Sequence, residues 1–143
     1  SCVLYLLFVG LNTINNNMTI LIEDPHAWLL DVLQDAHKDR ESTLRIYQTV
    51  TRYIVDTRDF VGVLESIQPH TIKFKEPQDL ADDCFIGVSV FHKTLTSKHK
   101  NHGLPHIKFY KHAGRNAFNQ IGHPKIAEDW NFWESYVQEF VVL

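Results

Sequence analysis

Cysteine is scarce in this chain of 143 residues, which contains only Cys2 and Cys84. Two cysteines provide neither a disulfide framework nor the ligand spacing of a zinc finger. Such low cysteine usage is typical of proteins from a reducing compartment, so we expect a soluble cytoplasmic protein. A single bridge between the two cysteines remains an alternative.

The signature motifs of the commonest catalytic classes are also missing. The sequence contains no glycine-rich phosphate loop, no G-x-S-x-G nucleophile elbow and no C-x-x-C pair. We therefore expect a binding protein without catalytic activity, and we predict no cofactor for it.

No apolar run reaches the length of about 20 residues that a membrane-spanning helix needs. The stretch "CVLYLLFVGL" has no Lys or Arg before it and no small-residue cleavage site after it, unlike a signal peptide. We predict no membrane association. The only methionine, Met18, follows this region. Residues 1–17 are therefore either an upstream or cloning-derived extension, with Met18 as the native start, or they include a buried strand over 2–9.

The remaining composition is that of an ordinary globular protein, with 44% hydrophobic and 22% charged residues. A chain of this length forms one domain, which we place at residues 1–143. Residues 23–39 predict a helix capped by Asp24 and opened by Pro25. Its apolar face consists of Trp28, Leu29, Val32, Leu33 and Ala36. Apolar residues spaced by three and four predict further helix over 41–67, broken near residues 56–59.

The middle of the chain predicts strands. Pro69 and Pro77 bracket a short strand over 71–75, and "CFIGVSVFHKTL" alternates in the manner of a strand. A loop around Gly103 and Pro105 separates it from a second strand, "HIKFYKH". We expect the two to pair as an antiparallel hairpin near 84–112, which together with the helices gives an α+β fold.

A closing helix is predicted to begin at Pro124, with an apolar stripe that includes Ile126 and Val137. The stripe either packs into the core of the chain or forms a homodimer contact, because Trp and Tyr are enriched at protein interfaces. The candidate self-association residues are Trp130, Trp133, Tyr136 and Phe140.

Acidic residues are absent from residues 84–127, although the whole chain contains 17 of them. The same segment contains seven Lys or Arg residues and six of the nine histidines. Such segregation predicts an electropositive surface for an anionic ligand, and basic groups beside aromatic rings suit single-stranded nucleic acid. On the predicted hairpin, Ile107 and Phe109 point into the core. The candidate ligand-binding residues are Phe91, Lys93, His106, Lys108, Tyr110, His112 and Arg115.

Two other functions are compatible with the sequence. His99, His102 and His106 could bind zinc, because three imidazoles suffice for a catalytic site with an open position. That pattern suggests a metal-dependent hydrolase or nuclease, although Gly103 and Pro105 would break a helix carrying all three. The other alternative is a regulatory or immunity-type protein that binds a partner protein through its acidic helices.

Overall fold

The computed structural model describes residues 24–54 and 60–141, and every regular element within them is a helix. The α+β class predicted from the sequence is therefore wrong, since the described part of the chain is all-α. In chain order the helices are α1 (Pro25–Gln34), α2 (Arg40–Ile54), α3 (Phe60–Ser66), α4 (Pro69–Ile72), α5 (Pro77–Ser89), α6 (His92–His102), α7 (Ile107–Gln120), α8 (Pro124–Glu128) and α9 (Trp130–Phe140).

The first two predicted helical regions are confirmed. Asp24 accepts a hydrogen bond from the backbone N–H of Ala27 at 3.1 Å, and Pro25 occupies the first position of α1. Leu29 and Leu33 bury the face that the spacing predicted. The region 41–67 forms α2 and α3, while the predicted break at 56–59 lies outside the described residues.

The predicted strand over 71–75 is wrong, because Pro69 and Pro77 each open a helix. A proline costs little at the first helical position, where the missing N–H would have no intrahelical partner. Within α4, the Thr71 hydroxyl donates a hydrogen bond of 2.8 Å to the carbonyl of Gln68, the residue that precedes the helix.

The first strand of the predicted hairpin spans the second half of α5 and the first turn of α6. Helix α5 is central to the fold: it contacts α2, α3, α6, α7 and α9, and all nine residues from Ala81 to Ser89 are buried. The contribution of tertiary packing exceeds the strand preference of its β-branched residues Ile86 and Val88. The hairpin predicted at 84–112 therefore does not form.

The second predicted strand is the beginning of α7. Tyr110, Gly114, Ala117 and Phe118 are buried on one side of this helix, at spacings of three and four residues. Gly103 ends α6 in the left-handed conformation, with φ of 72°, which glycine adopts without strain. The link from Gly103 to His106 then leads into α7.

The predicted C-terminal helix is interrupted once, at Asp129, and so forms α8 and α9. Its apolar stripe is buried as predicted. Trp130 lies at the centre of the core, where its ring meets Phe85 and Phe118 edge-on at centroid distances of 5.2 and 6.0 Å. Within residues 24–54 and 60–141, no helix is both long enough and apolar enough to cross a lipid bilayer.

Candidate anion-binding cleft on helix α7

The outer side of α7 carries three of the seven Lys and Arg residues of the acid-free segment 84–127, together with one histidine. Lys108, Lys111, His112 and Arg115 follow one another at helical spacings of three, four and seven residues from the first. Residues at these spacings share one helix face. The opposite side of α7 is buried against α5, so packing of the core directs the basic face outward.

This basic face is one wall of a cleft with a volume of about 550 Å³. The other wall comes from α8. The lining residues are Lys108, Lys111, His112, Arg115, Asn116, Asn119, Ala127 and Glu128. We refer to this feature as the α7 cleft. Three cations, one imidazole and two amides line it together with a single carboxylate, which is the composition of an anion site.

Arg115 joins the two walls of the α7 cleft. Its Nε donates a hydrogen bond of 2.9 Å to the carbonyl of Ala127, in the last turn of α8. It is one of the last four carbonyls of α8, which have no hydrogen-bond partner within the helix, so the contact with Arg115 satisfies it. The guanidinium carries five N–H donors, and the terminal ones remain for another acceptor.

The cations of the α7 cleft are poorly neutralised. Among the described residues, Lys111 is the only one of them within ion-pair distance of a carboxylate, at 3.9 Å from Glu134. Neither Lys108 nor Arg115 has such a contact in the same part of the chain. A partly exposed pair at that distance contributes at most about 1 kcal/mol, so Lys111 can exchange it for a ligand.

Two histidines accept hydrogen bonds near the start of α7. His106 precedes α7, and its Nδ1 accepts a hydrogen bond of 3.1 Å from the backbone N–H of Lys108. One turn further on, the amide of Asn116 donates to Nε2 of His112 at 3.1 Å. These contacts hold the first turns of the basic face in one arrangement.

The structure brings together only some of the predicted ligand-binding residues. Lys108, His112 and Arg115 line the α7 cleft, and His106 caps its helix. The other three do not line it. Tyr110 is fully buried on the far side of α7, Phe91 is partly buried at the start of α6, and Lys93 is exposed in the first turn of α6.

The residues predicted from the sequence do not include three that line the α7 cleft, namely Lys111, Asn116 and Asn119. Their signal was the helical spacing: from Lys108 they lie three, eight and eleven residues away, close to whole numbers of turns. Reading the segment as a strand placed alternate residues on one face and so removed Lys111 from the set.

The three histidines of the predicted zinc site are not gathered at one point. The His99 and His106 rings meet edge-on with centroids 5.1 Å apart, and Nδ1 of His99 lies 2.6 Å from the carbonyl of Leu104. His102 is exposed at the end of α6. In the described part of the chain, no three His, Cys, Asp or Glu side chains are grouped closely enough to hold a metal ion.

A second polar recess, of about 330 Å³, was not predicted and includes Arg45, Arg52, Asp82 and His123. Here the charges compensate one another. Asp82 is 8% exposed and receives Arg45 at 2.7 Å and Arg52 at 3.3 Å, as well as the Thr49 hydroxyl at 2.6 Å. Since the arginines already have a buried carboxylate partner, this network fixes α2 to α5 rather than offering charge to a ligand.

The candidate self-association residues are largely internal. Trp130 and Trp133 are 0% exposed and Phe140 is 6% exposed, all within a single chain. Tyr136 is partly buried, and its hydroxyl donates to the carbonyl of Val32. The homodimer stays a prediction, and the exposed aromatic nearest to this stripe in sequence is Phe132, at 37% exposure.

Comparison of the chain with family models, with curated proteins and with solved structures gave no significant match.

Proposed function

We propose that this protein is a non-catalytic binding protein whose α7 cleft holds an anionic, phosphate-bearing ligand. The observation that carries the proposal is the unneutralised charge of the cleft: Lys108 and Arg115 share one helix face and have no carboxylate partner among the described residues. Lysine and arginine are the side chains that proteins use most for phosphate.

The cleft offers two kinds of contact to a phosphate group. The terminal N–H groups of Arg115 suit two oxygens of one phosphate, because the guanidinium fork matches that geometry. Lys108 and Lys111 supply point charges on flexible stems, one turn of α7 apart. Asn116 and Asn119 add neutral donors along the same face.

The test is to titrate the protein with inorganic polyphosphate and to measure binding by calorimetry at low and at moderate salt. Lys108→Glu combined with Lys111→Glu should weaken binding at least about tenfold, because each hydrogen bond to a charged group contributes about 1.5–3 kcal/mol. Binding should also weaken as salt rises, since screening acts on exposed charges.

The matched control is Lys93→Glu combined with Lys100→Glu, two exposed lysines of α6 that do not line the cleft. Both double variants change the net charge by the same amount. Loss of binding in the α7 variant alone supports the proposal. Equal loss in both variants would show that only the net charge matters, and absence of binding by the wild type at low salt would refute an anion site.

A further inference from the structure

We propose that the ligand of the α7 cleft is single-stranded nucleic acid and that Phe109 is the ring on which one of its bases stacks. This inference depends on the proposed function, because it names the ligand class of the same cleft. The sequence predicts Phe109 in the core of the protein. Phe109 is instead 43% exposed on α7.

Phe109 lies at the border of the basic face. It follows Lys108 directly and precedes His112 by three residues, so its ring is a neighbour of the His112 side chain on the helix surface. Exposing a large apolar ring to water costs free energy, and a site that binds only inorganic phosphate does not require such a ring. An aromatic ring beside cations is what a base attached to a phosphate backbone requires.

Among the described residues, the ring of Phe109 has one aromatic neighbour and no cation above it. It meets the buried Tyr110 ring edge-on, with centroids 5.3 Å apart and an angle of 78° between the planes. The exposed rings of Phe132 and Phe74 each carry a lysine ammonium, at 4.3 and 5.1 Å from the centroid. Within the described residues no cation covers Phe109 in this way, so its ring remains accessible to a base.

The dimensions favour a single strand. From Lys108 to Asn119 the basic face extends for about 16 Å along the helix axis, at about 1.5 Å per residue. That length suits a segment of a few nucleotides running along α7, with phosphates on the lysines and Arg115. In a duplex the bases are stacked on one another, whereas an unpaired base can turn out and lie on a protein ring.

The test compares three probes by fluorescence anisotropy or competition: a short single-stranded oligonucleotide of mixed sequence, its duplex, and inorganic polyphosphate. Phe109→Leu keeps an apolar side chain on the helix but removes the aromatic face. It should weaken single-strand binding by about 5- to 150-fold, the loss expected for one base–aromatic stack. Polyphosphate binding should not change, and Phe109→Trp should retain or strengthen single-strand binding.

The control is Phe132→Leu, which removes an exposed ring on α9 and should leave all three affinities unchanged. If Phe109→Leu binds the single strand as tightly as the wild type while polyphosphate still binds, stacking is refuted and the proposed anion site stands. A duplex that binds as tightly as the single strand would likewise overturn the inference. If none of the probes binds at low salt, the proposed function itself fails.

Discussion

Gly114 is the position at which a single added carbon should have the clearest effect on stability. It lies on the buried side of α7, in contact with α5 and the Trp130 indole. A Cβ at this position would lie 2.6 Å from Cη2 of Trp130, 2.9 Å from its Cζ3 and 3.0 Å from Cβ of Cys84. Carbon atoms pack favourably only at about 3.5–4.0 Å, so Gly114→Ala requires the indole or the helix to move.

The size of the effect follows from two opposing contributions. Replacing glycine by alanine inside a helix ordinarily stabilises it by about 1 kcal/mol. Forcing an additional carbon into a packed core costs about 1–3 kcal/mol. Trp130 is 0% exposed and is enclosed by Phe85 and Phe118, so the ring has little freedom to rotate away. We expect the steric cost to exceed the helix gain and the free energy of unfolding to fall by up to about 2 kcal/mol.

The assay is urea and thermal denaturation, in which this loss should lower Tm by up to about 7 °C for a domain of this size. The matched control is Gly87→Ala in α5, whose Cβ would meet, among the described residues, Cδ1 of Ile67 at 3.1 Å and Cδ1 of Leu95 at 3.4 Å. Those methyl groups end flexible side chains and can shift, so the control should be close to neutral. A Gly114→Ala protein as stable as Gly87→Ala would refute the close packing of α7 against Trp130.

Two further stability measurements test the core. Trp133→Ala should cost about 3–5 kcal/mol of unfolding free energy because Trp133 is 0% exposed, whereas Lys100→Ala on the surface should cost almost nothing; equal Tm values would show that α9 is peripheral. Burial raises the pKa of Asp83 from 3.8 to about 7, against the opposing charge of Arg52. The protonated Asp83 carboxyl therefore contributes fully to stability below about pH 4, and this contribution is lost as the pH rises to about 7. In urea titrations across that range, Asp83→Asn should gain stability relative to the wild type; a deficit that grows with pH would mean that the 2.7 Å ion pair with Lys75 dominates.

The sequence was sufficient to predict a helix where that helix has one buried face and one solvent-exposed face. In α1 the cap at Asp24 and the spacing of Leu29 and Leu33 defined the helix and its buried side, and both were predicted. It was insufficient for α5. A helix buried on all sides shows no amphipathic period, and a short apolar run rich in β-branched residues resembles a buried strand equally well. Only the packing of the surrounding helices distinguishes the two.

The hairpin geometry on which the candidate site residues were predicted is wrong, because the segment is helical. Around Ile107 the residues alternate between apolar and basic for a few positions, which favoured a strand with Phe109 inside and Tyr110 outside. The structure reverses the two: Tyr110 is 0% exposed and Phe109 is 43% exposed. The longer spacing that connects Tyr110 to Ala117 and Phe118 is helical, and it outweighs a short alternation because it extends over more than two turns.

The distribution of charge along the chain explains why the α7 cleft remains unneutralised. The carboxylates at the start of α5 precede the acid-free segment 84–127, and their partners come from other parts of the chain: Asp82 pairs with Arg45 and Arg52, and Asp83 with Lys75. Those acids are committed to the buried side of α5 and cannot reach the outer face of α7. Because α7 itself contains no acid, any carboxylate that the described residues bring to its cations comes from the flanking helices. The flanking helices supply just Glu128 at the edge of the cleft and Glu134 at 3.9 Å from Lys111 within the described residues, so the unpaired positive charge favours an external anion.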